Sequence, residues 1–73
     1  QRRFQLLQTW VIRTPGFRFV RPLIGFETFD AGELIATDGP DEIRALCDEC
    51  TVLMPARLPI VGREGVYLAK PIA

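Results

Sequence analysis

Glycine and proline recur through this chain so regularly that they leave room for little except short strands. Six of each stand among 73 residues. Thr14-Pro15-Gly16 reads as a turn, because proline presets φ and glycine supplies a positive φ. Asp30-Ala31-Gly32 is a second turn, and Asp38-Gly39-Pro40-Asp41 is the strongest. Pro55, Pro59 and Gly62 interrupt the next stretch, and Gly65 and Pro71 bound the last. The runs left between these breaks suit strands of ~4–8 residues rather than helices of ~8–20. Residues 4–12 are rich in apolar, aromatic and β-branched types, with imperfect alternation. Phe17-Arg18-Phe19 alternates before Val20 falls out of phase. Residues 33–37, 51–54 and 65–69 are the other apolar runs. Residues 42–46 are ambiguous: Asp41 is a suitable cap for a short helix, but a lone two-turn helix among hairpins is the rarer arrangement, so strand is preferred. Five to six short strands joined by tight turns predict an all-β, barrel-sandwich-like fold, a small barrel or sandwich, with no domain boundary inside residues 1–73.

The composition narrows the chemistry. There is no histidine. That excludes a Ser-His-Asp or Cys-His triad, a His₂Glu zinc site and an HExxH helix within this chain. Nine basic and nine acidic residues cancel, so no global field favours nucleic acid or a membrane surface. No apolar run reaches the ~18 residues of a membrane span, and the start, Gln1-Arg2-Arg3-Phe4, has no signal-peptide core. The only methionine is Met54, and the chain is expected to be a segment of a larger protein. A core this small supplies on the order of 3–5 kcal/mol.

Cys47 and Cys50 are the whole cysteine inventory. One CxxC offers two of the four ligands of a structural zinc, and nothing completes the set. Acids between the two thiols, Asp48 and Glu49, would work against a reactive thiolate. Two structural cysteines are therefore expected, with a disulfide and a metal or redox role as the alternatives, and a reducing, cytoplasmic setting as the default.

Charge is unevenly laid out. Residues 1–21 carry Arg2, Arg3, Arg13, Arg18 and Arg21 and no acid, a net of +5. Residues 27–49 carry eight acids against Arg44, a net of −7, and residues 50–73 return +2. Either an arginine-bearing face meets an anionic partner, or basic and acidic strands neutralise each other side by side, which is the simpler expectation.

Two stretches invite a functional reading. Residues 26–36, with a hydrophobe, a glycine turn and then a strand, look like half of a biotinyl/lipoyl-type barrel. A carrier needs an attachment lysine on a hairpin tip, and Lys70, the only lysine, stands beside Pro71. A β-turn-β packing unit is the plainer reading. The other stretch is Arg63-Glu64-Gly65-Val66-Tyr67. A tyrosine hydroxyl can donate to a carboxylate and an arginine can bind one bidentately.

Residues 21–70 resemble the C-terminal domain of the succinylglutamate desuccinylase/aspartoacylase family. The pieces that carry this are residues 29–39, Glu42-Ile43-Arg44-Ala45, residues 50–55 and residues 63–68, in that order and spacing. The resemblance implies a zinc amidohydrolase parent whose carboxypeptidase-like domain, absent here, holds zinc with a His-x-x-Glu pair and a later His, and cleaves N-acyl amino acids. It implies that this β domain packs on that catalytic domain, as a partner within the same chain, and narrows the substrate channel. Glu64-Gly65-Val66-Tyr67 matches the family's Glu-(small)-(small)-Tyr stretch, which implies a carboxylate-binding role for Tyr67 and an orienting role for Glu64. Arg63 is added as a substrate-binding candidate for its nearness. No catalytic residue and no metal ligand is expected in this chain. The rival reading is a module that docks a partner protein without touching substrate. In either case an exposed apolar docking patch and a tendency to self-associate into homo-oligomers are expected.

Overall fold

The computed structural model describes residues 3–72. Seven strands follow one another: β1 (Arg3–Val11), β2 (Arg18–Phe19), β3 (Thr28–Phe29), β4 (Leu34–Asp38), β5 (Asp41–Arg44), β6 (Cys50–Leu53) and β7 (Glu64–Ile72). They form two antiparallel sheets, one in the order β1-β7-β6-β3 and one in the order β2-β4-β5. The all-β expectation holds, and residues 42–46 lie in and just after the strand β5. The count is seven rather than five to six, because the two-residue β3 falls in a stretch, Phe26-Glu27-Thr28-Phe29, without apolar–polar alternation.

The core lies between the sheets. Val52, Val66 and Leu68 from the larger sheet meet Ile35, Ala36 and Ile43 from the smaller, all almost completely buried. Ile12 and Phe17, from the connection between β1 and β2, close one side. At two bulges an extra residue lets two neighbours be buried together, while Cys50 to Val52 of β6 and Leu68 with Ala69 of β7 are buried on both faces of the sheet. In β4 the pairing passes from Leu34↔Arg44 to Ala36↔Ile43, and Ile35 and Ala36 are both buried. In β7 it passes from Val66 to Glu64, leaving out Gly65.

The turns act largely as their residues dictate. Gly39, at φ 60, and Pro40 form a two-residue loop between the paired Asp38 and Asp41. A positive φ at the first central position of such a hairpin favours glycine. The turn at residues 30–33 closes with Glu33 N donating to Asp30 O at 2.9 Å. It does not make a hairpin: β3 pairs with β6 while β4 pairs with β2 and β5, so the turn carries the chain from one sheet to the other.

Pro71 does not end the last strand, which runs on to Ile72. Pairing with β6 stops at Ala69, so only β1 lines this end of β7. A proline is tolerated in a strand where one edge is free.

One buried carboxylate fastens the two sheets together. Asp38 is fully buried at the end of β4. Its Oδ2 accepts from Trp10 Nε1 at 2.8 Å and from the Arg13 amide at 2.7 Å. Its Oδ1 accepts from the Thr14 amide at 2.9 Å and the Thr14 hydroxyl at 2.7 Å. Burial alone pushes this carboxyl up, but the four donors outweigh it and hold it below the usual carboxylate range.

Candidate functional site

Residues 63–67 occupy the start of β7, and the bulge at Gly65 decides how they are displayed. A Cβ on Gly65 would stand 2.9 Å from both Ile12 Cγ1 and Phe17 Cζ, so this position faces the core. Val66, its neighbour, is also buried in the core. In a regular strand Glu64 and Tyr67, three apart, point to opposite faces. The extra inward residue places both on the face turned away from the second sheet. Glu64 sits there opposite Val11 and is exposed, while Tyr67 is half-buried between Thr9 on β1 and Leu53 on β6.

Tyr67 is half-buried, and its hydroxyl has no hydrogen-bond partner among the described residues, nor is it a buried orphan. It is therefore a donor open to solvent. Arg63 lies just before the strand. Its carbonyl accepts from Ile12 N at 2.9 Å and its amide donates to Ile60 O at 3.0 Å, so the backbone is fixed while the side chain is exposed. Neither Arg63 nor Glu64 belongs to an ion pair among the described residues. The structure thus brings Glu64 and Tyr67 to one face and holds Arg63 at its rim.

This face is open. The described residues enclose no cavity, so Tyr67 stands on a wall rather than in a pocket. Several large apolar side chains are exposed elsewhere on the chain. Ile24 is 91% exposed, Leu58 80% and Met54 69%. Ile24 is carried on a taut loop in which Phe26 adopts φ 69. The Glu27 carboxylate accepts from Ile24 N and Gly25 N, both at 2.8 Å. These bonds, the Ile24 amide first, lower the Glu27 carboxyl below its ordinary range, and Arg21 adds to the effect.

The other sequence candidates fall elsewhere. Lys70 sits within β7 opposite Gln5, not on a hairpin tip. Cys47 and Cys50 are unbridged; Cys50 is fully buried, and burial pushes its thiol up, while Cys47 is half-buried against the core. No group of three or more metal-ligating side chains gathers among the described residues. Part of the basic N-terminal stretch is neutralised by the acidic middle: Arg13 meets Asp41 at 3.5 Å and lies over the Trp10 ring at 4.8 Å. Arg2 lies outside the described residues. Sequence reasoning missed Asp38, which it counted only as one acid of a charged run. An aspartate opening a Gly-Pro hairpin, in a chain with one tryptophan, was the available signal.

No protein-family model matches the chain, and no curated protein matches it.

Proposed function

We propose that this chain is the C-terminal β domain of a zinc-dependent N-acyl-amino-acid amidohydrolase, and that it forms one wall of the substrate channel. In this reading the Tyr67 hydroxyl donates to the substrate carboxylate, Glu64 orients the approach and Arg63 adds positive charge at the rim. The observation that carries it is the Gly65 bulge, which sets Glu64 and Tyr67 on one open face with the tyrosine hydroxyl unengaged. A wall without a cavity fits a site completed by another domain. In this reading the zinc is held by the catalytic domain, and this chain's part is binding rather than chemistry. The unbridged thiols fit a reducing, cytoplasmic setting.

A second reading, a module that docks a partner protein without substrate contact, draws on the exposed Ile24, Leu58 and Met54. The parent gene separates the two. The enzyme reading requires an upstream His-x-x-Glu pair and a later His, with one zinc per chain and hydrolysis of N-acyl amino acids by the full-length protein. A parent without that pattern, or one that carries it and leaves a panel of N-acyl amino acids intact, leaves the docking module as the answer.

A further inference from the structure

Cys47 and Cys50 are the corners of a tight turn. Asp48 and Glu49 form the turn between them, with Glu49 at φ 56, and β6 begins at Cys50. The corner Cα atoms of a β-turn lie within about 7 Å of each other, and a disulfide spans Cα separations of about 4.4–6.8 Å. The turn is held from both sides. Just before it, Ala45 N donates to Glu33 O at 2.8 Å and Gly32 N donates to Ala45 O at 2.9 Å. Within it, the Asp48 carboxylate accepts from Ala31 N at 2.9 Å, and the Thr51 hydroxyl donates to the Glu49 carbonyl at 3.0 Å. Both thiols are free, and they differ in access. Cys50 is fully buried in the core, while the half-buried Cys47 packs against that core from its rim. Burial pushes the Cys50 thiol up, and the Cys47 thiol acts on it directly in the same direction, so the two sulfurs are neighbours.

We propose that Cys47 and Cys50 form a thiol–disulfide switch, in which exchange with a small-molecule disulfide such as glutathione disulfide turns this preformed turn into a covalent loop between the smaller sheet and the larger. Cys47, the reachable thiol, loses its proton and attacks one sulfur of the small disulfide. That S–S bond breaks, a mixed disulfide forms on Cys47, and one glutathione thiolate leaves. Cys50 then gives up its proton and attacks the Cys47 sulfur, which forms the Cys47–Cys50 bond and releases the second glutathione thiolate. The two protons end on the two glutathiones, so two protein thiols are oxidised and one glutathione disulfide is reduced. The acids of the turn slow the first attack and leave the equilibrium to the geometry. The ring that closes contains only a turn already formed, so closing it needs little movement of the backbone. A reducing setting keeps the pair as free thiols, and an oxidising shift closes it. This inference is independent of the channel-wall reading.

Equilibration of the 73-residue chain in glutathione buffers of stepped ratio, quenched by alkylation and read by mass spectrometry, tests it, once on the folded chain and once in concentrated urea. The folded chain should close the disulfide with an equilibrium constant at least about tenfold above that of the unfolded chain. By linkage, the oxidised chain should then unfold at a higher urea concentration than the reduced one. An equal or smaller constant in the folded chain overturns the inference, and so does a folded chain that stops at glutathione adducts. Cys50→Ser should stop at one glutathione on Cys47, and folded Cys47→Ser should take up none. Equally fast glutathione uptake by the two variants overturns the order of attack. If either variant fails to fold, the comparison of folded and unfolded wild type decides alone.

Discussion

At the scale of single residues, two positions carry more of the structure than their chemistry suggests. Gly65 is required for space rather than for φ, since its missing Cβ is what lets Ile12 and Phe17 close over the bulge. Gly65→Ala overpacks that contact and should destabilise the chain by about 1–3 kcal/mol, measured by urea unfolding. An unchanged midpoint would mean that the bulge relaxes freely. Asp38→Asn keeps the shape but turns an amide donor toward groups that are themselves donors. It should lose about 2–3 kcal/mol, a large part of what so small a core supplies. The sign with pH follows from the direction of the shift. Asp38 and Glu27 are both held below the ordinary range, so their contribution is fully present above the unfolded carboxyl pKa of about 4 and drains away as pH falls through the folded values. Wild-type stability should therefore decline below about pH 4, and Asp38→Asn should decline less steeply over the same interval. Parallel curves for the two proteins would show that Asp38 keeps an ordinary pKa.

At the scale of elements, periodicity revealed the strands and turn chemistry revealed the loops, but neither revealed the bulges. All six runs read as strands from the sequence fall on strands, and the Asp38–Asp41 turn is the hairpin its residues dictate. The seventh strand, β3, was hidden because Phe26-Glu27-Thr28-Phe29 shows no alternation of the kind that Phe17-Arg18-Phe19 gives β2; only pairing with Thr51 and Cys50 defines it. The extension of β7 through Pro71 was hidden for another reason: proline's penalty depends on whether a neighbour needs its amide, which is a property of the sheet and not of the residue. The candidate site was legible as a motif, Glu64 to Tyr67, and not as a geometry. A motif three residues apart on a strand reads as split between faces until the bulge is seen. The β4–β5 hairpin offers a test at this scale. Gly39 holds φ 60 with Thr14 Cγ2 3.1 Å from where a Cβ would stand. Gly39→Ala should cost about 1–2 kcal/mol and loosen the adjoining Thr14–Asp38 contact, visible as faster exchange of the Thr14 amide. Retained protection would show that the hairpin and the carboxylate anchor are uncoupled.

At the scale of the whole molecule, a closed two-sheet core presents the Tyr67 face, which in the proposed reading another domain completes. Inside, every buried polar side-chain atom among the described residues has a partner. Outside, a tyrosine hydroxyl and several large apolar side chains face solvent. The most direct measurement of that claim is the steady-state kinetics of Tyr67→Phe in the full-length protein, on an N-acyl amino acid and on an analogue lacking its carboxylate. Loss of one charge-assisted hydrogen bond should lower kcat/KM on the carboxylate substrate by roughly 10- to 150-fold. The loss should fall mainly on KM, because the carboxylate is held alike in ground and transition states. The analogue should be hydrolysed equally by both proteins, and thermal stability should be unchanged because the half-buried ring is retained and the hydroxyl has no partner within the described residues. Wild-type kinetics for Tyr67→Phe on the carboxylate substrate would contradict the account and leave Tyr67 as an edge of the sheet's packing.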